Sequence, residues 1–150
     1  PFNEGWGQFD ARKATETLRA LDPSRPVDEA SGWFDRGGGD VHSIHNYFYP
    51  LRIRPNVRTV ALSEYGGIAW TDDKSGWGYG NAPDSAREFT DRLEGLTNAL
   101  LKNKYIFGFC YTQLTDIEQE QNGLYTYDRK PKFPCEEIRR IISAAAAIED

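Results

Sequence analysis

Residues 58–67, with the sequence RTVALSEYGG, join a short apolar stretch to an acidic side chain. The first part, residues 58–63, is a brief apolar run of the kind found in buried strands. The two glycines that end the stretch open a glycine-rich segment, and we expect residues 64–83 to form a long loop. Loops of this length are more often functional or disordered than merely structural. The stretch therefore predicts a strand with Glu64 at its end.

Predicted helices and strands alternate on both sides of this strand. The clearest helix covers residues 84–103, where apolar residues recur at helical spacing. The other predicted elements are helices over 8–21 and 136–148 and strands over 27–31, 40–47 and 105–112. The last helix is expected to bury Ile138, Ile141, Ile142 and Ala145. Because alternating strands and helices form parallel sheets with sites at the C-terminal strand ends, we expect an α/β fold.

The composition is that of an acidic globular chain. Its 150 residues include 18 Lys and Arg against 23 Asp and Glu, a formal net charge of −5, and 39% of them are hydrophobic. Nucleic-acid-binding proteins usually carry a basic surface, and a membrane span needs about 20 consecutive apolar residues. We therefore expect a folded domain that binds neither nucleic acid nor membrane. No signal-type leader is visible, from which we expect a cytoplasmic location.

Glu4 and Glu64 are the candidate catalytic residues. Glu64 follows a predicted strand, and Glu4 opens the chain as though a strand had just ended. Two carboxyl groups at strand ends suit hydrolysis of a glycosidic bond, in which one donates a proton to the leaving oxygen and the other attacks the anomeric carbon. The alternative is that both are ordinary solvated acids in loops.

Aromatic residues follow both candidate acids closely. They are Trp6, Tyr65, Trp70 and Trp77. Since sugar C–H faces stack on aromatic rings, aromatic loop residues beside carboxylates favour a carbohydrate site. Packing beneath a long loop is the alternative explanation for the same residues.

The histidines His42 and His45 lie three apart in a predicted strand, so they point to opposite faces and do not predict a zinc site. The same alternation places Ser43, His45 and Tyr47 on one face. His45 and Tyr47 therefore form a polar pair at the C-terminal end of the strand, where we expect them to contact a ligand.

Motifs for other chemistries are missing from the sequence. Ser63 lacks the G-x-S-x-G context of a hydrolase nucleophile, and the glycines at 37–39 precede a strand instead of a phosphate-binding helix. Cys110 and Cys135 are too few for a disulfide framework, so we expect reduced thiols. We predict no cofactor or metal ligand on this chain, and leave open a divalent or monovalent metal ion in the full-length protein.

Five segments resemble the catalytic domain of glycoside hydrolase family 2, which contains β-galactosidases and β-glucuronidases. They are FNEGWGQFD (2–10), RPVDEASGW (25–33), DVHSIHNYFYP (40–50), ALSEYGG (61–67) and NGLYTYDRKPK (122–132). They occur in the family's order and span the chain. The resemblance implies that residues 1–150 are part of a (β/α)8 TIM barrel, its C-terminal half from strand 4 or 5 to strand 8.

The resemblance also implies roles for individual residues. Glu4 resembles the acid/base, Glu64 the nucleophile, and Asn3 the residue that holds the sugar 2-hydroxyl. Tyr47 resembles the tyrosine that hydrogen-bonds the nucleophile, and Tyr111 lies near the position of a tryptophan platform in strand 8. The implied reaction is a retaining double displacement, for which the two carboxyl groups lie about 5–5.5 Å apart.

The loop before Gly123 favours a neutral substrate. Family members that act on glucuronides carry an Asn-x-Lys element there, whereas this chain has Glu120-Gln121-Asn122. We therefore expect a neutral β-hexoside, specifically a β-galactoside. The alternatives are a β-glucuronidase, a β-mannosidase, or an inert half-barrel that only binds carbohydrate.

The length of the chain predicts an incomplete barrel. A complete (β/α)8 barrel takes about 250 residues, and nothing in the sequence supplies the first strands. An open parallel sheet has unpaired edges and an uncovered apolar face. We therefore expect the chain to self-associate.

Overall fold

The computed structural model describes residues 1–71 and 76–149; residues 72–75, part of the predicted loop over 64–83, lie outside the described residues. The strands are β1 (Phe2–Asn3), β2 (Ala30–Ser31), β3 (Val41–Asn46), β4 (Thr59–Gly66) and β5 (Ile106–Thr112), and the helices are α1 (Ala11–Leu21), α2 (Ala86–Leu101) and α3 (Cys135–Ile142). No helix among the described residues is both long and apolar enough to cross a membrane.

Within the described residues, the pairs formed by the five strands are all parallel and follow the order of the chain. Strands β1 and β2 form one small sheet, and β3, β4 and β5 form a second sheet with β4 in its centre. The two sheets lie side by side, since the indole nitrogen of Trp33, just after β2, donates to the carbonyl oxygen of His45 in β3 at 3.2 Å. The predicted parallel α/β fold is confirmed, whereas the half-barrel stays a prediction.

Helix α2 packs against the second sheet and contributes more residues to the core than any other element. Ser85 caps its first turn by accepting a hydrogen bond from the backbone N–H of Glu88 at 3.1 Å. The core consists of apolar side chains from β4, α2, β5 and α3 and from the loops beside them, namely Leu62, Tyr65, Ile68, Phe89, Leu93, Leu96, Leu100, Ile106, Leu124, Phe133, Ile138 and Ile141. The prediction of this helix is confirmed.

Helix α3 is shorter than predicted. It ends at Ile142, and Ala145 lies beyond it on the surface. Ile138 and Ile141 are buried as expected, but Ile142 is 39% exposed. The helical spacing of apolar residues therefore holds only for the part of the segment that packs against the core.

The strand predicted over 27–31 is reduced to its last two residues. Val27 instead pairs with Asp40, donating its N–H to the Asp40 carboxylate at 2.7 Å and accepting the Asp40 N–H at 2.8 Å. Glu29 is buried, and its carboxylate accepts the N–H of Gly38 at 2.6 Å. The glycine loop thus encloses the buried Glu29 carboxylate, and Val27 is bonded to the residue after this loop, while the Glu29 carbonyl oxygen accepts the N–H of Phe2 in β1 at 3.2 Å.

Candidate active site

The two candidate acids lie together at the C-terminal ends of parallel strands. Glu4 directly follows β1 in a left-handed turn, with its N–H bonded to the carbonyl oxygen of Ser31 at 2.6 Å. Glu64 lies near the end of β4, which extends to Gly66 because its last residues pair with β5. One oxygen of each carboxylate lies within 4.8 Å of the other. This separation is typical of a retaining carboxylate pair, since inverting pairs are about 6.5–9.5 Å apart.

The imidazole of His45 lies between these carboxylates. Nδ1 is 3.2 Å from Oε1 of Glu4, and Nε2 is 3.5 Å from Oε1 of Glu64. The His45 side chain has no exposed surface, so it cannot offer a sugar the contact that the sequence predicted. The ring is hydrogen-bonded to Glu4 through Nδ1, whereas Nε2 is buried near Glu64 without a hydrogen-bond partner.

The alternation of β3 places His45 there. Ser43, His45 and Tyr47 are buried on one face, whereas His42 on the other face meets the Asp35 carboxylate at 3.1 Å. The prediction that the two histidines do not converge is confirmed. Gly32, at φ +92°, lies against the His45 ring so closely that a Cβ there would be 2.5 Å from ring atoms. Glycine at this position therefore makes room for the imidazole.

Tyr47 donates its hydroxyl to Oε2 of Glu64. Burial, followed by this hydrogen bond, raises the pKa of Tyr47 far above its usual value, so the phenol stays a neutral donor. The ring of Tyr47 stacks on Tyr79, which sequence analysis did not identify. Burial also raises the pKa of Tyr79, and the carboxylates of Glu120, Glu4 and Glu64 act in the same direction. Tyr79 thus lies in a field of negative charge.

Asn3 and Tyr111 differ in their access to the site. Asn3 is exposed beside Glu4 and accepts a hydrogen bond from the Ser31 hydroxyl at 2.9 Å. The hydroxyl of Tyr111 donates to the carbonyl oxygen of Asn122 at 3.2 Å and accepts the N–H of Ile68 at 3.3 Å. The Tyr111 hydroxyl therefore connects two loops by hydrogen bonds. It is not free to contact a sugar, in contrast to the expectation from sequence.

The aromatic residues near the acids divide into surface and core. Trp6 is 68% exposed and packs edge-on against Trp33, with ring centroids 5.7 Å apart. Trp77 is also exposed, but Trp70 lies against Phe133 at the edge of the core. Trp6 and Trp77 keep the predicted position for stacking on a sugar, whereas Trp70 is a packing residue.

Of the described residues, Glu4, His45 and Glu64 are the group that could hold a metal ion, with one donor atom from each within 4.8 Å of the others. The two ring nitrogens of His45 face different carboxylates, however. Nδ1 is hydrogen-bonded to Glu4, whereas Nε2 has no hydrogen-bond partner. The expectation of no metal ligand on this chain stays a prediction.

The loop after β5 places a further negative charge near the site. Asn122 donates its amide to the Glu120 carboxylate at 3.1 Å, and Trp77 donates its N–H to the Gln119 carbonyl at 2.8 Å. The nearby ammonium of Lys132 is almost buried and paired with Asp116 at 2.7 Å. Because Lys132 is paired with Asp116, the charge from this loop that acts on Tyr79 is the negative charge of Glu120.

No protein-family model matches the chain, and no curated protein matches it in sequence. Solved structures do match. A β-glucuronidase from an uncultured Clostridium sp. aligns with a TM-score of 0.67 at 18% identity, over 92% of this chain and 30% of that protein. The β-D-glucuronidase of Dictyoglomus thermophilum aligns with a TM-score of 0.62 at 14% identity, over 90% of this chain and 29% of the other.

A third match is the β-glucuronidase of Bifidobacterium dentium, whose structure holds coumarin-3-O-glucuronide. It has a TM-score of 0.61 at 18% identity and covers 86% of this chain and 26% of that protein. The chain thus spans less than a third of the length of each. The resemblance to glycoside hydrolase family 2 is confirmed at the level of the fold: this chain has the fold of the corresponding part of β-glucuronidases, enzymes of that family.

Proposed function

We propose that the chain is part of a retaining β-glycosidase of glycoside hydrolase family 2 and supplies both catalytic carboxyl groups. The observation that carries this proposal is the meeting of Glu4 and Glu64 at neighbouring strand ends, with one oxygen of each within 4.8 Å. Two independent contacts support it, namely the Tyr47 hydroxyl on Glu64 and the His45 ring between the acids.

The proposed reaction has two displacements. Glu64 attacks the anomeric carbon while Glu4 protonates the leaving oxygen, which gives a glycosyl ester on Glu64 and a free alcohol. Glu4, now ionised, takes a proton from water, and the water oxygen displaces Glu64 and restores both groups. The hydrogen bond from Tyr47 orients the Glu64 carboxylate for attack, and Asn3, beside Glu4, is placed to hold the 2-hydroxyl.

The proposed substrate is a neutral β-hexoside, specifically a β-galactoside. The support is electrostatic, since Glu120 adds to the negative field of Glu4 and Glu64 around Tyr79. A uronate carboxylate in that field would be repelled. A β-glucuronide is the second candidate, because the solved structures that match the fold are β-glucuronidases.

The test is release of nitrophenol by the chain from aryl β-galactoside and aryl β-glucuronide. Glu64→Ala and Glu4→Ala should abolish turnover, while Glu16→Ala, which removes an exposed acid on α1, should not change it. Mass spectrometry after incubation with a 2-deoxy-2-fluoro glycoside should place one sugar on Glu64.

The outcomes separate the parts of the proposal. Faster turnover of the glucuronide overturns the neutral substrate but keeps the carboxylate assignment. Turnover that survives Glu64→Ala overturns the assignment of the nucleophile. If neither substrate is cleaved and Glu64 is not labelled, the proposal that this chain is an active glycosidase is overturned.

A further inference from the structure

We propose that the rings of Trp6, Trp33 and Phe34, here called the aromatic cluster, bind the leaving group of the glycoside and select flat aromatic leaving groups. This inference rests on the proposed function, because only a glycosidase has a leaving group at this place. The aromatic cluster takes no part in the two displacements, so its exposed rings need another explanation.

The three rings lie on the surface at steep angles to one another. The ring centroid of Trp6 is 4.8 Å from that of Phe34 and 5.7 Å from that of Trp33, with interplanar angles of 66° and 88°. The exposed fractions are 68% for Trp6, 52% for Phe34 and 38% for Trp33. Single exposed apolar side chains are ordinary, whereas a contiguous group of them is typical of a binding site.

The aromatic cluster is joined directly to the acid/base end of the site. Trp6 comes two residues after Glu4. Gly5 has a φ of +74°, and a Cβ there would be 2.9 Å from the carbonyl oxygen of Trp33 and 3.0 Å from Cβ of Phe34. Trp33 in turn donates its indole N–H to a backbone carbonyl oxygen of β3 at 3.2 Å. The rings and the turn that carries Glu4 therefore form one packed unit.

The arrangement of the two acids decides which part of the substrate meets these rings. The proposed reaction places the anomeric carbon between the carboxyl groups and the glycosidic oxygen next to Glu4, its proton donor. The substrate beyond that oxygen extends past Glu4, where the aromatic cluster begins. Tyr47 and Tyr79 are instead attached to Glu64, on the side of the transferred sugar. The aromatic cluster is therefore placed to contact the leaving group.

The polar side chains beside the aromatic cluster are engaged within the chain. The Gln8 amide nitrogen donates to the carbonyl oxygen of Phe34 at 2.7 Å. The Asp35 carboxylate accepts the N–H of Gly37 at 2.9 Å and is paired with the Arg58 guanidinium. A sugar leaving group needs hydrogen-bond partners for its hydroxyls, whereas a flat aromatic group needs only ring surfaces, on which it packs edge-on or offset. These surroundings therefore favour an aromatic leaving group over a second sugar.

The test measures the binding of thioglycosides, which mimic the substrate and resist cleavage. We expect 4-phenylphenyl thio-β-galactoside to bind about tenfold more tightly than methyl thio-β-galactoside in isothermal titration calorimetry, because its two rings pack on the aromatic cluster. The matching pair of thio-β-glucuronides is used if the aryl glucuronide proves the better substrate. Trp6→Ala should abolish the preference, and Trp6→Phe, which keeps a ring, should retain most of it.

Tyr105→Ala is the matched control. It removes a ring that is 48% exposed just before β5, at the opposite end of the strands from the acids, and should leave the preference unchanged. Phe34→Ala is the second variant of the aromatic cluster, and should weaken the preference if Trp6→Ala does not give the circular dichroism spectrum of a folded chain.

Cleavage provides a second readout. Trp6→Ala should raise the KM of the 4-phenylphenyl glycoside about tenfold and leave kcat within about twofold, since it removes binding of the leaving group and not the proton transfer from Glu4. A loss in kcat with an unchanged KM would overturn the inference.

The binding outcomes separate this inference from the proposed function. Equal affinities of the two thioglycosides, binding of neither, or a preference that survives in a folded Trp6→Ala chain overturns the inference. If Trp6→Ala lowers the mass found by light scattering without changing the preference, the aromatic cluster is a contact between two copies, and the inference is also wrong. A preference that depends on Trp6 in a chain that cleaves no glycoside overturns the proposed function and keeps the binding site.

Discussion

Tyr47 and Tyr79 lie face to face, with ring centroids 3.6 Å apart and planes 4° from parallel. Tyr47 follows β3, whereas Tyr79 belongs to the loop after β4, where its N–H donates to the carbonyl oxygen of Gly67 at 2.7 Å. Gly67 has a φ of +57°, and a Cβ there would be 2.4 Å from the Tyr79 ring. The stack packs against the ring of Tyr47 and so helps to hold the Tyr47 hydroxyl in position to donate to Glu64.

Replacement of Tyr47 by Phe should lower kcat by about 100-fold, with a smaller change in KM. The variant keeps the stacked ring and loses only the donor on Glu64, and loss of one such preorganised donor typically has an effect of this size. Steady-state kinetics on an aryl glycoside measure it. Tyr49→Phe is the matched control, since Tyr49 is 71% exposed. A Tyr47→Phe chain within twofold of the original would show that the hydrogen bond is unimportant.

Replacement of Leu93 by Ala should destabilise the chain by about 2–5 kcal/mol, because it leaves a cavity under α2. Leu93 is completely buried, whereas Leu21 at the end of α1 is 78% exposed. Leu21→Ala should therefore change the free energy of unfolding by less than about 0.5 kcal/mol. Urea unfolding followed by tryptophan fluorescence provides both values. Equal effects would contradict the described core.

The stability of the chain should fall at high pH because of its buried phenols. Burial raises the pKa of Tyr65 to about 12, although its hydrogen bond with Thr97 acts in the opposite direction. In the unfolded chain a tyrosine ionises near pH 10, so the contribution of Tyr65 is complete below about pH 10 and is lost as the pH rises through about 12. The expected loss is about 2–3 kcal/mol.

Urea unfolding over this pH range measures that loss. The free energy of unfolding should fall less steeply in Tyr65→Phe, while Tyr127→Phe should leave the slope unchanged, since Tyr127 is 71% exposed. Burial raises the pKa of Tyr47 and Tyr111 as well, so part of the slope remains in the variant. Identical slopes in Tyr65→Phe and the original chain would refute the assignment.

The chain should self-associate through its sheet edges. Strand β5 is an edge of its sheet and carries Phe107, which is 60% exposed. Light scattering should find dimers or larger species, and Phe107→Lys should reduce their mass, because a charged residue on an edge strand opposes pairing. Tyr127→Lys, outside the strands, should have no such effect. A monodisperse monomer of the original chain would disprove this prediction.

The elements that sequence predicts best are those with strong local patterns. The helix around Leu93 follows from its apolar spacing, and the place of Glu64 follows from its position after an apolar strand. The strand over 27–31 was predicted too long because Val27 hydrogen-bonds Asp40, thirteen residues away. Such pairing depends on the path of a glycine loop, which no local pattern specifies.

In the site, the two acids and the hydrogen bond of Tyr47 to Glu64 were predicted, but the contacts of His45 and Tyr79 were not. The contact of His45 with Glu4 joins residues 41 positions apart, and its burial depends on the close approach of Gly32. Strand alternation gives the face of His45 but not what covers that face. Tyr79 has no periodic pattern around it, and only the stack on Tyr47 reveals it. These parts of the site depend on contacts between segments that are distant in the chain, and local sequence patterns therefore could not predict them.

The two acids are attached to the fold with very different strength. Glu4 depends on β1, a two-residue strand anchored by backbone hydrogen bonds from Phe2 to Glu29 at 3.2 Å and from Glu4 to Ser31 at 2.6 Å. Glu64 lies inside an eight-residue strand with a neighbour on each side. Amide hydrogens of β1 should therefore exchange with solvent through local opening, long before those of β4. On heating, we therefore expect Glu4 and Glu64 to separate while the helices and the central sheet are still folded.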